Sequence, residues 1–210
     1  MSEANISELK RNIIAIGRLL WEKDLASSLN GNISVRVDDE RILLTATRTC
    51  LGLLHEEDIV LLKLNGEVLD KKKASSEALL HLDIYRNFPD ARAIVHTHTI
   101  YTNAYFLEND QYSPRIYEAK FWLGELKAVP QHAPNVIDTA PVLAALKRNN
   151  IAVLKNHGVL SMGEDLFNCF LLIQTLEETL HTEAMARIFS DASRTEVRRK
   201  SSVRKPLKTA

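Results

Sequence analysis

The chain has 210 residues, of which 45% are apolar, so it can bury one sizeable hydrophobic core. Its formal net charge is zero, which argues against a nucleic-acid-binding protein with a broadly positive surface. We expect no signal peptide and no membrane span, because no stretch has the required apolar pattern. Two cysteines are too few for a disulfide framework, and we expect both to be reduced in the cytoplasm.

The first half of the chain predicts one helix followed by short strands. Residues 5–8 have the capping-box pattern of a helix start, and apolar residues follow at helical spacing. A Gly-Asn pair at positions 31–32 ends this helical region. Apolar runs bounded by turn residues then predict strands at residues 33–37, 41–45 and 58–64. Asn65-Gly66 predicts a hairpin turn that leads back to a strand at residues 67–69.

The second half alternates helices and strands. The patterns predict helices at residues 75–86, 101–107, 138–147 and 165–189, and they predict strands leading into His96, at 151–155 and at 158–162. This interspersed order favours a mixed α/β fold, in which helices cover a central sheet. We expect one domain over residues 1–192, followed by a basic tail over 193–210 that is mobile in solvent. The alternative is an arm that lies over a neighbouring subunit.

Histidines follow two of the predicted strands. His96 and His98 end the apolar run at residues 93–95, and side chains two positions apart in a strand point to the same face. His157 follows a second apolar strand, and Gly158 leaves room beside it. Three neutral imidazoles with an open fourth position form a catalytic zinc site, which is one interpretation of these residues. The alternative is that they are ordinary core or surface histidines.

The segment Ser75-Ser76-Glu77 also has two interpretations. Serine is a common helix N-cap and glutamate is common in a first helical turn, which would make the segment purely structural. Alternatively, the two hydroxyls and the helix amides hold a phosphate, and Glu77 acts as an acid or base beside the metal. Three of the remaining histidines, His55, His81 and His181, have no matching constellation, and we predict structural or solvated roles for them. We predict that His132 is a loop or interface residue rather than a ligand.

Taken together, five motifs in this order resemble the class II aldolase/adducin family over about residues 5–190. They are Gly31-Asn32-Ile33-Ser34, Leu44-Thr45-Ala46-Thr47, Ser75-Ser76-Glu77, His96-Thr97-His98 and Asn156-His157-Gly158. The resemblance implies a mainly antiparallel sheet of nine strands sandwiched between helices in three layers. It also implies fourfold homotetramers with active sites between subunits.

The same resemblance implies roles for individual residues. The metal ligands would be His96, His98 and His157, which would bind one Zn²⁺ per subunit. The acid/base would be Glu77, which would also serve as a fourth metal ligand in the absence of substrate. The substrate phosphate would be held by Asn32, Thr47, Ser75 and Ser76.

The implied function is a zinc-dependent aldolase that acts on a phosphorylated sugar. It would cleave a ketose 1-phosphate, of the fuculose 1-phosphate type, to dihydroxyacetone phosphate and an aldehyde through a metal-stabilised enediolate. Two alternatives keep the metal centre, namely a methylthioribulose-1-phosphate dehydratase and a ribulose-5-phosphate 4-epimerase. A third is a non-catalytic interaction domain of the adducin type.

One motif departs from the family pattern at Arg48. The phosphate loop of the aldolases carries Gly where this chain has Arg48, and Gly allows the backbone to approach a phosphate closely. We expect Arg48 to remove that freedom while adding a guanidinium suited to anions. Three alternative roles are open for Arg48: it binds the phosphate, it binds a substrate carboxylate, or it blocks the usual position of the substrate. The family's interface tyrosine is also ambiguous here, since Tyr117 and Glu118 align comparably well.

Overall fold

The computed structural model describes residues 3–202, and it describes the side chains of residues 5–192. In this part of the chain there are eight strands. They are β1 (Asn32–Arg36), β2 (Arg41–Thr45), β3 (Ile59–Lys63), β4 (Ala93–Thr97), β5 (Gln111–Tyr112), β6 (Leu126–Lys127), β7 (Ile151–Leu154) and β8 (Gly158–Gly163). Six of them form the central sheet in the order β3-β2-β1-β4-β8-β7, with every neighbouring pair antiparallel, while β5 and β6 pair separately.

Helices cover both faces of this sheet. They are α1 (Glu3–Glu22), α2 (Ala78–Asn87), α3 (Ile100–Glu108), α4 (Tyr117–Leu123), α5 (Ala140–Leu146) and α6 (Leu166–Ser202). Two short 3-10 helices, Leu51–Leu53 and Glu56–Asp58, precede β3. One hydrophobic core joins the sheet to α1, α3, α4 and α6, and a second core joins its other face to α2 and α5. The expected mixed α/β fold with a mainly antiparallel sheet between helices is therefore confirmed.

Strand β1 runs through the middle of the sheet and is buried on both sides. Ile33 and Val35 belong to the core beneath α1 and α6. Because side chains alternate along a strand, the intervening Asn32, Ser34 and Arg36 point to the opposite face, toward α2. This polar face of β1 positions part of the site described below, since Asn32 is paired directly with His96 on β4.

Several element boundaries differ from the sequence predictions. Helix α1 already includes Glu3, so the capping pattern at residues 5–8 lies inside it. Helix α2 begins at Ala78, so the predicted start at residue 75 is wrong; residues 75–77 instead form a turn before it. The hairpin after β3 returns as an isolated bridge between Leu62 and Val68 rather than as a strand. Partly for this reason, the described part of the chain has eight strands, whereas the family resemblance implied nine.

The long C-terminal helix α6 continues past the boundary that the sequence suggested. It extends to Ser202 and crosses position 192, and residues 203–210 of the predicted tail lie outside the described residues. The division into a domain of 1–192 and a mobile tail of 193–210 thus stays a prediction. Within the described chain, none of the helices combines the length and the apolar character that crossing a bilayer requires.

Candidate active site

Three histidines meet at one end of the central sheet. His96 lies in β4, His98 follows the end of that strand, and His157 lies in the turn between β7 and β8. Because β4 pairs with β8, this turn lies beside the end of β4. One ligand atom from each ring lies within 4.8 Å of the others. We call these three residues the histidine cluster.

The nitrogen atoms of the cluster fit a metal ion. His96 Nδ1 donates a hydrogen bond to the Val159 carbonyl at 3.0 Å, so its Nε2 carries the lone pair. That Nε2 lies 3.1 Å from His98 Nε2, close to the spacing of about 3.3 Å between ligands of a tetrahedral zinc. His157 turns its Nε2 toward the same place, 3.5 Å from Glu77 Oε1. A divalent cation would satisfy this convergent set of lone pairs.

The protonation state of the cluster also suits a metal site. Burial, together with the neighbouring His96 and His157, lowers the pKa of His98 to about 3. Burial and His96 lower the pKa of His157 as well. Both rings are therefore neutral near pH 7, which is the form of imidazole that binds a metal.

Gly158 allows the cluster to close. A β-carbon at this position would lie 2.3 Å from the Thr97 carbonyl oxygen and 2.9 Å from His98 Cδ2. Both distances are shorter than contacts that real side chains make. The sequence analysis expected Gly158 to leave room beside His157. This room is needed because the start of β8 lies very close to the end of β4.

Glu77 lies directly beside the cluster, at the N-cap position of α2. Its Oε2 is 3.2 Å from His96 Nε2, and its Oε1 is 3.5 Å from His157 Nε2. Burial alone would raise the pKa of this carboxyl, but His96 and a hydrogen bond from Asn32 outweigh burial and lower the pKa below its ordinary value. Glu77 is therefore an ionised carboxylate beside three imidazoles, placed to transfer a proton or to bind the same metal.

A cleft of about 340 Å³ opens above Glu77 and the cluster. Eight of the nine predicted site residues line it, namely Asn32, Thr47, Arg48, Ser75, Ser76, Glu77, His98 and His157. The ninth, His96, is fully buried beneath them. The loop that carries Thr47 and Arg48 therefore faces the turn that carries Ser75 and Ser76 across one cavity.

Arg48 adopts a backbone conformation that the sequence analysis did not expect. Its φ is +60°, in the left-handed region that glycine tolerates best. Arg48 therefore adopts a backbone conformation that glycine adopts more easily, while its expected effect on the approach of a phosphate stays a prediction. The exposed side chain adds a cation at the rim of the cleft.

Asn32 and Ser75 are bonded to Glu77 in this structure. The amide of Asn32 donates to Glu77 Oε2 at 2.8 Å, and Ser75 Oγ accepts a hydrogen bond from the Glu77 backbone N at 3.2 Å. Ser76 is more exposed, and its hydroxyl donates to Asn135 Oδ1 at 3.4 Å. A direct role of these residues in binding phosphate stays a prediction.

The sequence analysis did not find two residues that belong to this region. Asn135 lines the cleft from the loop before α5, and no pattern marks that loop. His81 is fully buried and lies 2.5 Å from Asn32 through its Nε2, so it is structural rather than solvated. Its position four residues after Glu77 was an available signal, since residues four apart share a helix face. Tyr117 lies outside the cleft, on α4, and is 88% exposed.

Comparison with known proteins identifies the family of this chain. Residues 11–184 match the family model described as the class II aldolase and adducin N-terminal domain. An L-fuculose phosphate aldolase from Methanocaldococcus jannaschii is 34% identical over 169 residues, covering 80% of this chain and 92% of that protein. A 3-oxo-tetronate 4-phosphate decarboxylase from Pectobacterium atrosepticum is 33% identical over 187 residues, covering 85% and 86% of the two chains.

A solved structure shows the same fold. The L-fuculose-1-phosphate aldolase from Thermus thermophilus superposes with a TM-score of 0.80 at 25% identity, covering 89% of this chain and 97% of that one. The family-model match spans most of the chain and includes the histidine cluster and Glu77. On these grounds, the chain belongs to the class II aldolase and adducin family.

Proposed function

We propose that this protein is a metal-dependent lyase that breaks a carbon–carbon bond in a phosphorylated sugar or sugar acid. One observation carries the proposal: an ionised Glu77 touches two of three convergent imidazoles inside a cleft with hydroxyls and a guanidinium at its rim. A divalent ion, zinc in our proposal, would supply a Lewis acid for the negative charge that develops on the substrate oxygens.

The first candidate reaction is aldol cleavage of a ketose 1-phosphate. The ionised Glu77 would take the proton of the C4 hydroxyl. The bond between C3 and C4 then breaks, the aldehyde leaves, and the electron pair stays on C3 as an enediolate delocalised to the C2 oxygen. Protonation of C3 then yields dihydroxyacetone phosphate. Glu77 lies beside the cluster, where it would deliver this proton.

The second candidate is decarboxylation of a 3-oxo-tetronate 4-phosphate. The bond between C1 and C2 breaks, carbon dioxide leaves, and the electron pair remains on C2, conjugated with the C3 oxygen. Protonation of C2 gives dihydroxyacetone phosphate again, so both reactions pass through one enediolate. Two observations favour this candidate: the decarboxylases among the relatives, and the Arg48 guanidinium, whose fork geometry suits a carboxylate as well as a phosphate.

The residues at the rim would act on parts of the substrate that do not react. Thr47, Ser75 and Ser76 offer hydroxyls, and Arg48 offers a charged donor, on the walls of one cleft. Binding a phosphate there would fix the distance between the reacting carbons and Glu77. Energy from this remote contact would then contribute to catalysis rather than to binding alone.

Assembly and location remain part of the proposal. Three large side chains on the short helix α4 are strongly exposed in the single subunit: Tyr117 by 88%, Phe121 by 80% and Trp122 by 58%. An apolar patch of this kind is typical of a subunit contact and supports the homotetramer expected from the family resemblance. We propose a cytoplasmic enzyme, consistent with two free cysteines that the structure leaves unpaired.

The other candidate functions have less support from the site. The dehydratase and the 4-epimerase would use the same cluster, and no contact in the cleft favours either of them over cleavage of a carbon–carbon bond. A non-catalytic domain of the adducin type has no use for a buried carboxylate in contact with convergent imidazoles. Such a set costs folding free energy unless a ligand satisfies it.

The test begins with the shared enediolate. The zinc-loaded protein is incubated with dihydroxyacetone phosphate in deuterated water, and the hydroxymethyl protons are followed by NMR. We expect stereospecific loss of one proton. The protein is then given L-fuculose 1-phosphate and 3-oxo-tetronate 4-phosphate separately, and release of aldehyde or of carbon dioxide distinguishes the two reactions. Absence of exchange in protein that contains one zinc per chain would refute the proposal.

A further inference from the structure

Beneath the cleft, a line of polar side chains is buried between β1 and α2. It consists of Asn32, Ser34, His81 and Tyr85, and we call it the polar seam. The first two come from one face of β1, and the other two come from one face of α2. All four are at most 5% exposed. Buried polar groups are costly unless each is hydrogen-bonded, so a line of four needs an explanation.

The geometry of the two elements keeps the seam in register. Two residues of a strand advance by about 6.7 Å, and four residues of a helix advance by about 6.0 Å. Polar residues at every second position of β1 therefore meet polar residues at every fourth position of α2. Arg36, the next residue on this face of β1, continues the match: its guanidinium lies over the Tyr85 ring at 4.8 Å and donates to the Tyr85 carbonyl in α2 and to the Ala91 carbonyl after it.

The hydrogen bonds of the seam have one direction. A carboxylate only accepts, so Asn32 must present its NH₂ group to Glu77, at 2.8 Å. The Asn32 carbonyl oxygen then faces His81 Nε2 at 2.5 Å, and this nitrogen must carry the hydrogen. His81 Nδ1 is consequently an acceptor, so Ser34 donates to it at 2.7 Å. Tyr85 in turn donates to the Ser34 oxygen at 3.0 Å.

We propose that His81 is a positioning residue that locks the Asn32 amide, and through it holds the Glu77 carboxylate against the histidine cluster. Without the His81 Nε2–H, no donor beneath Asn32 would hold the amide oxygen in place. A flipped amide would present its oxygen to the carboxylate and repel it. This inference rests on the proposed roles of Glu77 and the cluster, and it adds His81 to them.

The burial of His81 supports this role. The ring is completely buried, and burial lowers its pKa to about 3, so it is neutral near pH 7. A neutral ring has one donor and one acceptor nitrogen, and both are used here. His81 thus has no lone pair left for a metal, which separates it from the three rings of the cluster.

Two amide substitutions provide a matched test. The terminal amide of a glutamine reaches the position of Nε2 and would donate to Asn32, whereas the shorter asparagine does not reach it. We expect His81→Asn to weaken Zn²⁺ affinity, measured by chelator competition, and to lower kcat, each by about 10- to 100-fold. We expect His81→Gln to recover at least about half of this loss on a logarithmic scale. Tyr112→Phe, which alters a buried tyrosine in the other core, controls for lost stability alone.

A second measurement is made on the wild-type protein, and a variant serves only to assign one signal. In protein with ¹⁵N-labelled histidine, long-range ¹⁵N–¹H correlation should show the His81 ring as the Nε2–H tautomer, assigned by its absence in His81→Gln. A ring protonated at Nδ1 would overturn the proposal, as would His81→Asn with unchanged Zn²⁺ affinity. If the wild-type protein does not catalyse the proposed reaction, Zn²⁺ affinity and the His81 tautomer can still be measured. Failure of the proposed function is therefore distinguishable from failure of this inference.

Discussion

The histidine cluster and the polar seam are two neighbouring buried groups of polar residues. They differ in whether the imidazole nitrogens have hydrogen-bond partners within the protein. In the seam, His81 uses both of its ring nitrogens within the protein. In the cluster, His96 Nε2 lies 3.1 Å from His98 Nε2, and His157 Nε2 lies beside the Glu77 carboxylate, so these nitrogens face one another and a carboxylate. A satisfied imidazole stabilises or positions, whereas unsatisfied imidazoles that converge are prepared for a ligand. The difference lies in the partners rather than in the residue type.

The largest expected effect comes from breaking the cluster. His96→Ala removes the central ligand of three, so we expect Zn²⁺ affinity to fall by more than about 100-fold and turnover to disappear with the metal. Metal content per chain after dialysis measures the effect. His132→Ala, on an exposed loop residue outside the cleft, is the control. One tightly bound zinc in His96→Ala would contradict the assignment of the cluster.

The next effect separates proton transfer from metal binding. Glu77→Gln keeps the shape of the side chain and an oxygen for Asn32, but it removes the base. We expect zinc content to stay near one per chain while proton exchange into dihydroxyacetone phosphate slows by about 10²- to 10⁴-fold. Glu164→Gln, which changes an exposed carboxylate at the end of β8, should leave exchange unchanged. Exchange at the wild-type rate in Glu77→Gln would reduce Glu77 to a helix cap.

The seam should make the metal-free protein sensitive to mild acid. His81 has an ordinary pKa of 6.5 in the unfolded chain and of about 3 in the folded protein. Between these values the unfolded state binds more protons, so the free energy of unfolding falls as pH falls, by up to about 1.4 kcal/mol per pH unit. His98 contributes in the same direction.

Denaturant unfolding of chelator-treated protein at several pH values from 6.5 to 4.5 checks this expectation. Carboxyl groups with lowered pKa, such as that of Glu77, act mainly below 4.5, so this window isolates the histidines. His81→Gln should flatten the dependence, because glutamine does not titrate. A free energy of unfolding that is constant over this window in the wild type would show that His81 is not held neutral.

The smallest effect on stability concerns the rim of the cleft. Arg48→Gly relieves a left-handed backbone but adds freedom to the unfolded chain, and these terms of about 1 kcal/mol each nearly cancel. We expect instead a rise in KM for the phosphorylated substrate of about 10-fold, from the loss of one charge-assisted hydrogen bond. Steady-state kinetics measures it, with Arg48→Lys as the variant that keeps the charge. An unchanged KM would show that Arg48 does not contact the substrate.

Much of the site could be predicted from the sequence because it depends on local periodicity. His96 and His98 share a face through the two-residue repeat of a strand, and their apolar neighbours mark that strand as buried. His157 follows a second buried strand, in the turn before β8, and Gly158 begins β8. The family motifs added the order in which these segments occur, and the mixed α/β fold followed from the alternation of helices and strands.

Only the tertiary structure decided what the polar residues around these ligands do. The sequence placed the start of a helix at Ser75, whereas packing places Glu77 at the N-cap and points its carboxylate at the cluster. The sequence left His81 either structural or solvated, and only the packing of α2 across β1 decides that it is buried and hydrogen-bonded. Long-range pairing determines such roles, because a hydrogen-bond partner some 49 positions away has no signature in the local pattern.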